Sequence, residues 1–224
     1  MTTRVFLIRH GATQLSAEDR FAGETDIDLS ETGRDQARRL GARLSSMPIR
    51  AVYASPLRRT LATAGILAES HGLEPIAETG LREIAHGHWE GMSRTEVEEK
   101  FPEEYRTWEN DPLTFAPDGG ETGLAVTARA LPALLDIVVA NAESQVIVVS
   151  HKATIRLLLS MLLGFDARRY RDRLDQSPAA LNVIDFKDTT RPRLTLFNDT
   201  SHYAIESQIP PLPEKRLSKW WDHP

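Results

Sequence analysis

The sequence contains no cysteine. A disulfide framework, a thiolate metal site and a cysteine nucleophile are therefore all excluded. The missing cysteines also fit a reducing compartment, and the expected location is cytoplasmic. Positive charge is in deficit: 27 Lys and Arg stand against 32 Asp and Glu, a net charge of −5. A general nucleic-acid binder would show the opposite balance, so none is expected. The same deficit sits awkwardly with any phosphate chemistry, because the overall field repels anions. Long apolar runs are missing as well. The N-terminal run Val5 to Ile8 is too short for a signal-peptide core and is closely flanked by charge. LPALLDIVVA is the longest apolar region and Asp136 interrupts it. No membrane partner is expected. There is no internal repeat and no low-complexity tract.

What is present is an alternation of short β-type runs with amphipathic helical stretches. Strands are predicted at 4–8, 51–54, 145–149, 181–186 and 193–197, the last two joined by a turn at 188–192. Helices are predicted at 30–46, from Pro56 at a first helical position to a stop at Gly72, from the capping box at Ser93, from Pro102, over 122–140 with a kink or break at Pro132, and over 153–163 with a stop at Gly164. This alternation predicts an α/β fold with three layers, a mostly parallel sheet with helices on both faces. In such folds the site lies beyond the carboxyl ends of the strands.

The residues that follow the strands carry the chemistry. Arg9-His10-Gly11 follows the first strand, Ser55-Pro56-Leu57-Arg58-Arg59 the second, and Ser150-His151 the third long one. Two histidines and two sources of arginine thus converge on one sheet edge. A single histidine is usually structural, but this set is harder to dismiss. Arginine presents a donor fork suited to phosphoryl oxygens, and neutral imidazole is a nucleophile near neutral pH. A second, protonated histidine would donate to a phosphoryl oxygen. Glu83 sits in an apolar-flanked stretch and is a candidate general acid, kept protonated by partial burial. Its bland alternative is a surface ion pair with Arg82.

These elements, together with Asp26-Ile27-Asp28-Leu29-Ser30-Glu31-Thr32-Gly33, Gly87-His88-Trp89-Glu90-Gly91 and Gly119-Gly120-Glu121-Thr122, occur in the order seen in the histidine phosphatase superfamily. The chain resembles that family, which has the phosphoglycerate mutase-like fold, over residues 4 to 205. The resemblance implies a histidine phosphatase domain at 1–208, followed by a Pro/Trp-containing tail at 209–224 expected to dock on the surface or on a partner. It implies His10 as the nucleophile, Arg9, Arg59 and His151 as holders of the phosphoryl oxygens, and Glu83 as the proton donor. Arg59 rather than Arg58 matches the family arginine. No metal or cofactor is needed in this scheme. The pair His86 and His88 raises a metal alternative, weighed against packing near Trp89.

Three features bear on substrate binding. Ser16 stands where the family often has asparagine. Arg20 and Gly23 fall where the family places residues near the substrate, although Arg20 has an alternative as a loop ion pair with Asp19 or Glu24. Lys152 replaces the usual glycine after His151. It is either a solvated lysine at a helix start or a contact to a second anionic group of the substrate. The resemblance implies a metal-independent phosphomonoesterase acting on a small phosphorylated metabolite through a phosphohistidine. The alternatives are a phosphoglycerate mutase, disfavoured by the short stretch between Glu83 and His151, and a non-catalytic binding module. A lid is expected in residues 92–115, and a homodimer is possible because dimers are common for this fold.

Overall fold

The computed structural model describes residues 2–204. The sheet has six strands: β1 (Thr3–Arg9), β2 (Ile49–Ala54), β3 (Ile76–Ala77), β4 (Gln145–Ser150), β5 (Leu181–Phe186) and β6 (Pro192–Asp199), in the order β3-β2-β4-β1-β5-β6. The pairs β1/β4, β2/β4 and β2/β3 are parallel. The pairs β1/β5 and β5/β6 are antiparallel, a hairpin that closes one edge.

Each central strand feeds two cores because its side chains alternate between faces. Val5 and Leu7 of β1, with Val146 and Val148 of β4, pack on one side against Ala130, Leu134, Ile155 and Leu158. Phe6, Ile8, Ile147 and Val149 pack on the other side against Leu40, Leu44, Ala64 and Leu67. Helices α6 (Gly123–Ala140) and α7 (Lys152–Leu163) therefore cover one face. Helices α2 (Glu31–Leu44) and α3 (Arg58–Glu69) cover the other. This is the three-layer α/β arrangement expected from the sequence.

Two short helices, α4 (Arg94–Lys100) and α5 (Pro102–Asn110), belong to a separate apolar cluster. There Trp89, Tyr105 and Trp108 pack around Phe21. Two further α-helices are short, α1 (Gln14–Ala17) and α8 (Tyr170–Arg173).

Three local expectations change. The helix after Pro56 starts only at Arg58, because Leu57 stays extended and the Asp26 carboxylate takes the Arg58 N–H at 2.7 Å. Helix α6 runs unbroken through Pro132; packing of Ala130 and Leu134 on either side holds it helical despite the lost N–H. By length and composition α6 is also apolar enough to cross a membrane, contrary to the reading of its sequence, yet its buried residues pack into the core. Gly72 and Gly164 end their helices with positive φ, as expected. The proposed tail at 209–224 and the domain boundary at 208 lie outside the described residues.

Candidate active site

The carboxyl ends of β1, β2 and β4 open into one cleft of roughly 320 Å³, a size that takes a phosphate with a small organic skeleton. Arg9, His10, Arg59 and Glu83 all line it. Arg58 does not: its side chain is exposed, so the choice of Arg59 over Arg58 agrees with the geometry.

His10 leaves the end of β1 on a backbone held from both sides. Its N–H donates to Ser150 at 3.0 Å, and its carbonyl accepts from Ala179 at 3.0 Å. The next residue must be glycine. A Cβ on Gly11 would lie 2.4 Å from the carbonyl oxygen of Gly33, at the start of α2. The His10 Nδ1–H donates to the Gly11 carbonyl at 2.7 Å. A carbonyl only accepts, so Nδ1 carries the proton and Nε2 keeps its lone pair. Burial, then the charges of Arg9 and Arg59, hold the His10 pKa well below its ordinary value.

His151 is fully buried, and its ring centroid lies 5.2 Å from that of His10. Its Nδ1 accepts Arg59 Nε–H at 3.3 Å, and its Nε2–H donates to Ser55 Oγ at 2.7 Å. Burial and then Arg59 push its pKa well down. The chemical expectation of a protonated second histidine is therefore corrected: the guanidinium occupies Nδ1 and leaves no place for a second proton.

Arg59 is buried and braces the front of the site. It donates Nη1–H to Thr25 O and Nη2–H to Gly23 O, each at 2.7 Å. Three of its five N–H groups are thus engaged, which leaves two for an anion. Arg9 spends one N–H on Gln176 O at 2.7 Å, and its buried Nε has no partner among the described residues. Burial lowers the Arg9 pKa to about 10, with Glu83 opposing, so it stays charged at neutral pH.

Glu83 lies in a segment without regular structure that is clamped from behind. Arg129 donates to the carbonyls of Gly80, Arg82 and Glu83, and Ser150 Oγ donates to Leu81 O. The Glu83 carboxyl group caps the start of α7, accepting from Ala153 N and Thr154 N at 3.2 Å, while the Thr154 hydroxyl donates to Arg82 O at 2.7 Å. The alternative ion pair with Arg82 does not form; Arg82 pairs with Glu24 instead.

The remaining expected contacts divide. Lys152 lines the cleft at the first position of α7. Ser16 also lines it, but its hydroxyl closes a capping box with Thr13. Arg20 lines the cleft with its guanidinium turned to Glu18 and Glu96, different ion-pair partners from those expected. Gly23 has φ +46, and its carbonyl serves Arg59. His86 and His88 part company. His86 lines the cleft edge-on to Phe21, while His88 lies on Phe101 and pairs with Glu104.

Glu90, a motif residue with no expected role, holds the 23–25 loop by accepting from Glu24 N and Thr25 Oγ1. Arg156, Tyr170 and Arg171, which no motif marks, also stand in the cleft wall. The spacing of Arg156 four residues after Lys152 was the available signal.

Residues 5–200 match the model of the histidine phosphatase superfamily (branch 1). The chain is 37% identical over 167 residues to phosphoserine phosphatase 1 of Hydrogenobacter thermophilus, covering 75% of this chain and 79% of that protein. It is 34% identical over 168 residues to glucosyl-3-phosphoglycerate phosphatase of Mycolicibacterium vanbaalenii, covering 72% and 74%. A solved mycobacterial glucosyl-3-phosphoglycerate phosphatase superposes with a TM-score of 0.79 at 28% identity, covering 88% of this chain and 99% of that one.

Proposed function

The chain belongs to the histidine phosphatase superfamily and is a phosphomonoesterase of small phosphorylated metabolites, and from that premise we propose that it works through a phosphohistidine on His10. The observation that carries the proposal is the His10 Nδ1–H bond to Gly11, which leaves the Nε2 lone pair at the cleft. Nε2 attacks phosphorus, the P–O ester bond breaks, and the leaving oxygen takes a proton from Glu83. A water then gives a proton to the Glu83 carboxylate and attacks the same phosphorus. The P–N bond breaks and orthophosphate leaves. Spare N–H groups of Arg9 and Arg59 neutralise the equatorial oxygens. Ordering these donors before substrate arrives spares reorganisation at the moment of reaction. On substrate binding, the added negative charge offsets the mutual repulsion of the two guanidiniums.

The names of the relatives support phosphoserine and phosphoglycerate-type esters as the first substrates to try. The test is incubation with O-phosphoserine, 3-phosphoglycerate and a panel of sugar phosphates, following orthophosphate and the phosphoglycerate isomers together. Release of orthophosphate without isomerisation is expected. Conversion of 3-phosphoglycerate into its isomer without release would make the protein a mutase and overturn the reading.

A further inference from the structure

Arg9 and Arg59 account for the phosphoryl group, yet the cleft holds more positive charge than that group needs. Lys152 and Arg156 are four residues apart on α7, so both lie on the face that looks into the cleft. Arg156 is 4% exposed. It donates Nη2–H to Asp175 Oδ1 at 3.0 Å, and its buried Nε has no hydrogen-bond partner among the described residues. The Asp175 side chain is 72% exposed, so that ion pair is easily exchanged for a better one.

Arg171, a further guanidinium in the same wall, is spent otherwise. It stacks 3.7 Å over the Trp108 ring and donates to the carbonyls of Trp108 and Glu109.

Lys152 is a cation placed at a helix N-terminus, where the dipole opposes it. Burial, then Arg156 and Arg9, lower its pKa to about 7. Asp175 and Asp19 offset this in part, and an anion entering the cleft favours the cation further.

Resting on the phosphatase reading above, we propose that Lys152 and Arg156 form a second anion subsite, and that the substrate is a phosphate ester whose alcohol portion carries a carboxylate. The partly engaged fork of Arg156 suits the two oxygens of a carboxylate, and Lys152 adds a compact charge beside it. Asp175 releases Arg156 as the carboxylate arrives and remains at the exposed rim.

The test uses two non-hydrolysable probes of equal length, 3-phosphonopropionate and propylphosphonate, which differ by the carboxylate. Their dissociation constants are measured by titration calorimetry on the full chain and on Lys152→Ala and Arg156→Gln. In the parent protein the carboxylated probe binds at least about tenfold more tightly, the scale of one charge-assisted contact. Each substitution brings the two constants to within about threefold. Equal binding of both probes by the parent protein would overturn the subsite, and so would a preference that survives the substitutions. Should Arg156→Gln fail to fold, Lys152→Ala decides alone. Phosphate release from para-nitrophenyl phosphate is followed separately, so failure of the phosphatase reading is distinguishable from failure of the subsite.

Discussion

The rings of His10 and His151 stand 5.2 Å apart at a 60° tilt, and both are held well below the ordinary histidine pKa. Both are buried, and both face guanidinium charge. His86, at the cleft edge, is likewise pushed down, to about 4, chiefly by burial. The unfolded chain binds a proton at each of these histidines below an ordinary value of about 6.5, whereas the folded chain does not. Folding is therefore opposed as the pH falls from about 6.5 toward 4, and stability rises with pH across that window. Urea unfolding at pH 7.5, 6 and 5 should show a loss approaching roughly 4 kcal/mol per pH unit at most for the three groups together. A flat stability across this range would mean that the histidines are charged in the folded protein.

Glu83 is tied to the first turn of α7 by bonds from Ala153 and Thr154, which fixes where its proton is delivered. A general acid matters in proportion to how poorly the leaving oxygen departs on its own. Glu83→Gln should cut kcat by about 10²- to 10⁴-fold for alkyl phosphates and by much less for para-nitrophenyl phosphate. An equal loss on both ester types would show that Glu83 only shapes the cleft.

Gly23 sits at φ +46, and a Cβ there would lie 2.0 Å from Glu90 Oε1. Its carbonyl also anchors Arg59. Gly23→Ala should destabilise the fold by about 2–4 kcal/mol from backbone strain and overpacking. KM for phosphate esters should rise with it, because Arg59 loses a brace. A fully stable variant with unaltered kinetics would show that the 23–25 loop does not position the arginine.

The parts of the site that hang directly on strand ends were legible in the sequence. Strand periodicity located Arg9, His10, His151 and the pair Arg58-Arg59, and the family resemblance singled out Arg59 of the two. The far wall was not legible. Tyr170 and Arg171 lie in short helical turns with no sustained hydrophobic period, and only the return of β5 beside β1 brings that segment over the cleft. Hydroxyl and guanidinium groups were legible as types but not as contacts. Ser16 spends its oxygen on Thr13, and Arg20 spends its fork on Glu18 and Glu96, both through local geometry that sequence spacing does not fix. The deficit of positive charge also proved uninformative about the cleft. Surface carboxylates beyond about one Debye length are screened, while Arg9, Arg59, Arg156 and Lys152 share one small volume.

Covalent capture on His10 is the most direct test of the central claim. The protein is mixed with a phosphate ester that it hydrolyses, quenched in alkali within the first turnover, and digested for mass spectrometry. One phosphoryl group, acid-labile and alkali-stable, is expected on the peptide carrying His10. His10→Ala should lose it, together with a fall in turnover on the order of 10⁴-fold or more. A phosphoryl group on another residue, or a His10→Ala protein that still turns over at a comparable rate, would contradict the central claim.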